Sequence, residues 1–291
     1  MSGKNSLKGP ALVLAGSLCF STSGFLQAIA PSGATPFVIG GSRLLIGALV
    51  LLLFILLGEK KPSFRHWPWK HVGMYAVALW LYQISFFHAV LAVGVAVGTV
   101  VSIGVTPVVS GLITWAKDKK SPSFMWCLAT ALAVTGLFLM NDMSGSKFDS
   151  FDLLLPVFAG ACYAVEICVS KPLTERHTAQ ESMMLIMFLA GLGLLPFFFF
   201  NPVSWILTGE GMLVVLGLGV VTAACAFSLM TAGLKDTPAP IASTLALGEP
   251  MGAALLGILV LQEPCPAQTL AGIVCIFMSI LLLIFFEPGK S

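Results

Sequence analysis

The feature that most constrains this chain is a run of 46 residues, 71–116, without a single Asp, Glu, Lys or Arg. Four further runs share this property, and they are 9–42, 182–209, 211–234 and 264–286. A helix of about 20 apolar residues crosses the ~30 Å hydrocarbon core of a bilayer. The longest run therefore has room for two crossings, and we expect it to turn near Gly94.

Composition excludes several classes of protein. Only 10% of the 291 residues are charged, against about 25% in an average soluble domain. The chain is therefore neither a soluble globular protein nor a disordered one, and a net charge of +2 does not suit a nucleic-acid partner. Stretches such as Leu44–Leu57 lack the alternating polarity of a transmembrane β-barrel. These observations predict an all-α membrane protein whose surroundings are the lipid bilayer.

Breaks at glycine, proline and charged clusters divide the chain into ten predicted transmembrane helices. They cover residues 9–30, 36–57, 69–91, 94–116, 123–141, 151–170, 181–200, 211–234, 238–260 and 267–286. The connections are short, so no segment is long enough for a soluble ATP-binding domain. The apolar N-terminal stretch exceeds the ~7–15 residues of a signal-peptide core, and we interpret it as an uncleaved first span.

Basic residues predict the orientation of these spans. Thirteen of the 15 Lys and Arg residues fall on one face, and they are Lys4, Lys8, Lys60, Lys61, Arg65, Lys70, Lys117, Lys119, Lys120, Lys171, Arg176, Lys235 and Lys290. The opposite face carries only Lys147, and Arg43 lies within a span. Since cytoplasmic loops carry the excess of Lys and Arg, we expect both termini to be cytoplasmic.

The chain also shows a weak internal repeat. A shift of 143 residues places 85–139 on 228–282, with Pro107 on Pro250. The predicted units are 1–143 and 144–291, each with five spans. Because five is odd, the second unit enters the membrane from the opposite side, and such inverted repeats are typical of alternating-access transporters.

The two repeat-equivalent prolines lie inside predicted spans. A proline removes a backbone hydrogen bond, so we expect kinks at Pro107 and Pro250 that free the carbonyls of Ile103 and Ala246. Small polar residues nearby, among them Thr99, Ser102, Ser243 and Thr244, suit either a polar lining or close helix packing. A tolerated kink in a packed helix is the alternative to a substrate pathway.

Three charged residues lie clearly within spans: Arg43, Glu166 and Glu249. A charge at a helix centre costs about 2.5–3.5 kcal/mol on insertion, so these side chains are expected to face protein or water. The alternatives are an Arg43–glutamate pair that clamps two helices together, and a Glu166 side chain that snorkels to the nearby membrane surface.

Aromatic and polar side chains in span three suggest a cavity near the predicted kinks. The candidate lining residues are Trp80, Tyr82, Gln83, His88, Thr99, Ser102, Tyr163, Glu166, Ser243 and Thr244. For each aromatic residue alone, core packing is the competing interpretation, because a buried hydroxyl or indole N–H also finds partners in a core.

Enzyme signatures are missing from the sequence. We find no HExxH motif, no nucleophile–base pair and no phosphate-binding glycine loop. The seven cysteines show no metal-ligand spacing. We therefore expect neither enzymatic activity nor a metal or cofactor, and a transport activity would use a gradient or a further subunit.

Two segments carry a resemblance to a known family. Residues 82–113 (YQISFFHAVLAVGVAVGTVVSIGVTPVVSGLI) and, more closely, 227–264 followed by 270–283 resemble the repeat of EamA-type transporters of the drug/metabolite superfamily. Glu249-Pro250, the Leu-x-Glu of 261–263 and Arg43 after Phe37 match that pattern. In the first copy Thr106 precedes Pro107 instead of a glutamate.

The resemblance implies a ten-helix exporter of small metabolites in a bacterial-type inner membrane, most like exporters of amino acids, including aromatic ones. Our hypothesis is amino-acid export by alternating access, with Arg43 and a glutamate meeting the carboxylate and ammonium of the substrate. The alternatives are export of another metabolite or drug, such as a purine or a quaternary ammonium compound, a gated channel, and a membrane-embedded enzyme or assembly subunit.

Overall fold

The computed structural model describes residues 7–58, 67–119, 121–141, 151–175, 177–260 and 262–286. Within these ranges the chain forms ten helical spans and no strand. They are α1 Lys8–Ala28, α2 Pro36–Leu57, α3 Trp69–Val93, α4 Val95–Asp118, α5 Phe124–Met140, α6 Leu154–Thr174, α7 Ala179–Phe200, α8 Gly209–Leu234, α9 Ala239–Val260 and α10 Ala267–Phe286. The predicted all-α membrane fold is confirmed, and the predicted bounds lie within about one helical turn of these.

Helix ends follow from local chemistry. Pro36 occupies the first turn of α2, where its missing N–H costs no hydrogen bond. Gly94 alone separates α3 from α4 and adopts φ +85°, a conformation that glycine reaches without strain. Thr178 and Glu181 form a capping box at the start of α7. The turn expected near Gly94 therefore joins two full-length spans.

Helix pairing follows the internal repeat. The helices α1–α5 form one half and α6–α10 the other. α3 packs on α6 as α1 packs on α8, and exchanging the halves converts the first pair into the second. α2 packs on α7, α4 on α9 and α5 on α10, so these pairs map onto themselves. Two inverted five-helix repeats thus build the molecule, and the predicted boundary between 143 and 144 lies outside the described residues.

Apolar side chains occupy both the interior and the outer surface. Leu44, Met183 and Met187 are fully buried in the core formed by α2, α7 and their neighbours. Leu57 and Phe199 lie on the outside and are almost fully exposed. Large exposed apolar surfaces are rare in soluble monomers and are expected where helices face lipid.

The two repeat-equivalent prolines behave differently. α9 is interrupted at Ala246 and Leu247, just before Pro250, whereas α4 continues through Pro107. The Ala246 carbonyl, which we expected to be free, accepts a hydrogen bond from the Glu249 N–H at 3.0 Å. In α4 the Thr106 hydroxyl instead lies near the carbonyls of Ser102 (2.9 Å) and Gly160 (3.2 Å), which ties this region to α6.

Candidate functional site

A cavity of about 710 Å³ lies between the two repeats. Residues from the C-terminal parts of α1 and α3, the N-terminal parts of α2 and α4 and the second half of α9 line it. These helix ends all lie at the same end of the molecule, together with Gly94 and the α9–α10 connection. We call this end the open end, and the end with Lys8, Asp118 and Ala239 the closed end.

The three charged residues within spans meet in this cavity. Arg43 of α2, Glu166 of α6 and Glu249 of α9 all line it. Arg43 donates from Nη2 to Oε1 of Gln83, with the two atoms 3.4 Å apart. The arrangement joins helices of both repeats around one cation and two anions.

Several polar atoms of this cluster have no protein partner. Nε of Arg43, Nε2 of Gln83 and Oε1 of Glu166 are buried, and none of them makes a hydrogen bond within the described part of the chain. Gln83 and Glu166 are each only 1% exposed, so Glu166 does not snorkel to the membrane surface. Because buried polar groups are normally hydrogen-bonded, these two donors and one acceptor are unsatisfied in this conformation.

Aromatic rings form the apolar part of the lining. Tyr82 lies 5.6 Å from Tyr163 between ring centroids and stacks on Phe86 at 5.5 Å. Phe20 and Phe227 meet edge to face at 4.9 Å, and all five residues line the cavity. The site therefore offers flat apolar surfaces beside the charged cluster.

Most but not all of the residues predicted from the sequence line this cavity. Those that do are Arg43, Tyr82, Gln83, Thr99, Tyr163, Glu166, Glu249 and Pro250. Those that lie outside its lining are Trp80, His88, Ser102, Pro107, Ser243 and Thr244. Whether the lining residues bind substrate stays a prediction.

Trp80 and His88 lie outside the cavity lining, and each has different neighbours. The Trp80 indole donates to the Gly193 carbonyl of α7 at 2.9 Å, so its side chain fills the contact between α3 and α7. His88 is exposed, its Nδ1 lies 2.8 Å from the Ile84 carbonyl, and its ring centroid is 4.9 Å from that of Phe37. Both residues lie on faces of α3 that turn away from the cavity.

Ser243 and Thr244 help to seal the closed end. The hydroxyl oxygens of Ser243 and Ser110 are 2.6 Å apart, and those of Thr244 and Thr130 are 2.9 Å apart. The Trp126 indole donates to the Pro240 carbonyl at 2.9 Å. These contacts join α9 to α4 and α5, so hydrogen bonds between the repeats seal the cavity at this end. Ser102 is buried in α4 with its hydroxyl unpartnered.

Sequence reasoning missed a polar rim. Ser21, Ser23 and Gln27 of α1 line the cavity, as do Asn141 and Glu263 near its mouth. α1 breaks at Ser21, and the Ser23 hydroxyl donates to the Phe20 carbonyl at 2.7 Å. In the sequence, Asn141 only marks the end of a span, and Glu263 belongs to the Leu-x-Glu of 261–263 that matches the family pattern, which does not indicate that its side chain lines a cavity.

Acidic, histidine and cysteine side chains do not gather into a metal site here. Among the residues that the structure describes, no group of three or more His, Cys, Asp or Glu could hold a metal ion. At its centre the cavity offers a solute a guanidinium, two carboxylates, an amide and aromatic surfaces.

Comparisons with known proteins show which family has this architecture. A model of the EamA-like transporter family matches residues 7–142 and again residues 151–285, once for each repeat. YwfM, an uncharacterized transporter of Bacillus subtilis, is 34% identical over 280 residues, which cover 96% of this chain and 94% of that protein. An uncharacterized transporter of Archaeoglobus fulgidus is 30% identical over 157 residues, or 53% of this chain and 55% of that protein.

A solved crystal structure shows the same fold. It superposes with a TM-score of 0.82 at 17% sequence identity, and the match covers 96% of this chain and 99% of that chain. Both repeats match the family model, and a relative of nearly the same length shares a third of its residues. The chain is therefore a multi-pass membrane transporter that belongs to the EamA-like transporter family of the drug/metabolite transporter superfamily.

Proposed function

We propose that this transporter exports amino acids, aromatic ones among them, by alternating access. The observation behind this proposal is the cluster of Arg43, Glu166 and Glu249 in one cavity that both repeats enclose. An amino acid carries a carboxylate and an ammonium group a few atoms apart, and the cluster offers a complement to each.

The unpartnered atoms suggest how such a substrate is held. The Arg43 guanidinium and Nε2 of Gln83 can donate to a carboxylate, and charge-assisted bonds of this kind are the stronger ones. Glu166 and Glu249 can accept from an ammonium group. Tyr82 and Tyr163 lie beside the cluster and would contact the substrate side chain. The cavity volume falls within the ~300–1,000 Å³ of typical small-molecule sites.

The two ends of the molecule support the mechanistic part of the proposal. The cavity is open at one end, and hydrogen bonds between α9 and its neighbours α4 and α5 seal the other. In inverted-repeat transporters, exchanging the conformations of the two repeats opens the other side. We propose that release of the Ser110–Ser243 and Thr130–Thr244 contacts accompanies opening of the closed end.

We further propose a bacterial-type inner membrane as the location, with both termini in the cytoplasm. Support comes from the excess of Lys and Arg on the N-terminal face. With this orientation the open end faces outwards. The described members of the 13 basic residues assigned to this face all lie at the closed end, and they are Lys8, Lys70, Lys117, Lys119, Lys171 and Lys235. The other basic residues of this face lie outside the described residues.

A quaternary ammonium compound is the second candidate substrate. Two carboxylates face one guanidinium in the cavity, and aromatic faces attract cations. Such a substrate would use Glu166, Glu249 and the tyrosines, but it would leave Arg43 and Gln83 without a partner. We therefore place the zwitterion first.

Counterflow in proteoliposomes tests the substrate. Vesicles loaded with one unlabelled compound should accumulate that compound in labelled form, and a panel of amino acids, purines and quaternary ammonium compounds should be compared. We expect saturable counterflow with amino acids. Competition by quaternary ammonium compounds alone would replace the first candidate by the second. Flux without saturation or counterflow would instead indicate a channel.

A matched pair of glutamate variants tests the site. Glu249→Gln removes a carboxylate of the central cluster, whereas Glu210→Gln makes the same change at an exposed position outside the cavity lining. Because hydrogen bonds to charged groups contribute about 1.5–3 kcal/mol, we expect Glu249→Gln to raise the substrate concentration for half-maximal flux about tenfold or more. Glu210→Gln should retain flux, and equal effects of the two variants would contradict the assignment.

A further inference from the structure

A second cavity, of about 390 Å³, lies at the closed end between α1, α7 and α8. Lys8 of α1, Lys235 and Asp236 after α8, and residues of the α6–α7 connection line it. We call it the basic pocket. Lys8 and Lys235 are exposed, and neither makes an ion pair within the part of the chain that the structure describes. Asp236 is the acidic residue of its lining, and the Glu181 carboxylate lies next to the lining at Thr178.

His177 is the buried polar residue of the basic pocket. It is only 6% exposed, and both its ring nitrogens lack a hydrogen-bond partner among the described residues. Its ring stacks on Trp67, with the centroids 3.8 Å apart and the planes within 2°. The stack holds the imidazole against Trp67 at the edge of the pocket, and a buried ring with two unpartnered nitrogens is costly unless it gains a partner.

The N-terminus of α7 opens on the same pocket. Thr178, Ala179 and Gln180 line it, and the first N–H groups of a helix have no acceptor within the helix. The Glu181 N–H donates to the Thr178 hydroxyl, and Glu181 Oε2 accepts from the Thr178 N–H. The N–H groups of Ala179 and Gln180 take no part in this capping box. Helix N-termini of this kind favour anions.

We propose that the basic pocket binds an anionic phosphoryl group, carried by a phospholipid headgroup or free in solution. Two ammonium groups, an imidazole and helix N-terminal amides converge on the pocket, and all of these are donors suited to phosphate oxygens. The pocket lies at the lysine-rich end, beside the Trp67 and Trp69 rings that are typical of a membrane interface. Basic pockets between helices on this side of a membrane are suited to anionic headgroups.

A binding titration on the purified full-length chain tests this inference. The ligands are short-chain phosphatidylglycerol, phosphatidylcholine with the same chains, and inorganic phosphate, followed through tryptophan fluorescence because Trp67 lies against His177. We expect saturable binding of phosphatidylglycerol and weaker binding of phosphatidylcholine, because the choline cation offsets the charge of the same phosphodiester. Binding of inorganic phosphate as well would identify the phosphoryl group itself as the ligand, and its absence would assign the site to lipid.

Charge-matched variants separate the pocket from general attraction to the lysine-rich end. Lys8→Gln/Lys235→Gln removes both ammonium groups of the pocket, and Lys70→Gln/Lys117→Gln removes two exposed lysines elsewhere at the same end. We expect the first pair to weaken binding by roughly fivefold for each lysine and the second pair to leave it unchanged. Equal losses, or no saturable binding of either anion by the parent chain, would overturn the proposal.

A His177→Phe variant examines the imidazole without removing the stack on Trp67. We expect weaker binding with an unchanged unfolding midpoint in the absence of ligand, since only the two unpartnered nitrogens are lost. Undiminished binding would remove His177 from the site. Should this variant fail to fold, the exposed lysine pairs still decide the question.

Discussion

At the scale of single residues, the central cavity is lined by charged side chains, which membrane helices normally exclude. Each charge near a helix centre costs about 2.5–3.5 kcal/mol on insertion, yet Arg43, Glu166 and Glu249 all lie within spans and line one cavity. Mutual attraction offsets part of this cost, but the unpartnered atoms of Arg43 and Glu166 do not contribute to stability. A structural clamp would pair these atoms fully, so their availability favours ligand binding.

Trp80 provides a residue-scale prediction. Trp80→Phe keeps an aromatic ring against Gly193 but loses the 2.9 Å indole hydrogen bond to its carbonyl. We expect a loss of about 1 kcal/mol in stability, measured as the free energy of unfolding, with unchanged substrate affinity in flux assays. Trp69→Phe, at an exposed position in the first turn of α3, is the control and should change neither quantity. A fall in substrate affinity for Trp80→Phe would return this residue to the binding site.

At the scale of helices, the sequence predicts the length and position of each helix better than it predicts breaks and π-helical segments within the helix. Charge-free runs determine where α4, α8 and α10 lie, because the bilayer demands about 20 apolar residues. The break of α1 at Ser21 and the π-helical segment Leu218–Cys225 of α8 occur without a proline. Gly217 and Gly219 lie at the start of the π segment, but Gly191 and Gly193 have the same spacing within the regular helix α7. Contacts with neighbouring helices determine such irregularities, as where Gly47 of α2 approaches Ala223 in the π segment. A single sequence does not contain those contacts.

The same limit applies to the site. Buried charge identified Arg43, Glu166 and Glu249 because the cost of charge in hydrocarbon is independent of the fold. The rotation of a helix, in contrast, decides whether Trp80 or Tyr82 faces the cavity, and two residues two positions apart lie on different faces. Ser243 and Thr244 illustrate the difference, because small polar residues serve a lining and a tight helix contact equally well.

The α5–α10 contact provides an element-scale prediction. A Cβ on Gly136 would lie 2.6 Å from the Gly272 carbonyl oxygen, and one on Gly272 would lie 2.5 Å from the Gly136 carbonyl oxygen. Gly136→Val therefore forces the helices apart, and overpacking of this kind costs about 1–3 kcal/mol. We expect a lower unfolding midpoint. Gly73→Ala in α3, where a Cβ meets nothing within 4 Å, should leave the midpoint unchanged or raise it, and a fall of similar size there would contradict the packing argument.

At the scale of the whole molecule, the proposed orientation leads to a labelling prediction. Cys265 lies exposed in the α9–α10 connection at the open end. If the termini are cytoplasmic, a membrane-impermeant thiol reagent added to intact cells should label the protein, and Cys265→Ser should abolish the labelling. A cysteine introduced as Lys117→Cys in the Cys265→Ser chain should react only after the membrane is opened. The reverse pattern would place the open end in the cytoplasm.

The last prediction concerns the balance between the two ends of the transporter. If the repeats alternate, the hydrogen bonds across the closed end help to set the populations of the two states, and each is worth about 0.5–1.5 kcal/mol. Ser110→Ala removes the 2.6 Å contact to Ser243 but leaves Ser243 bonded to the Pro240 carbonyl at 2.9 Å, so no buried hydroxyl becomes unpartnered. We expect the population open at this end to rise about fivefold.

Pulsed electron paramagnetic resonance between spin labels at positions 117 and 235 measures this change, because Lys117 and Lys235 are exposed on α4 and just after α8. Opening should add a longer distance to the distribution. Ser182→Ala is the matched control, since it removes a buried 3.0 Å bond to the Leu173 carbonyl within the second repeat and should stabilise neither state over the other. A distribution that Ser110→Ala leaves unchanged would mean that apolar packing alone holds the repeats together at this end, and the hydroxyl pairs would then contribute to helix packing without controlling access.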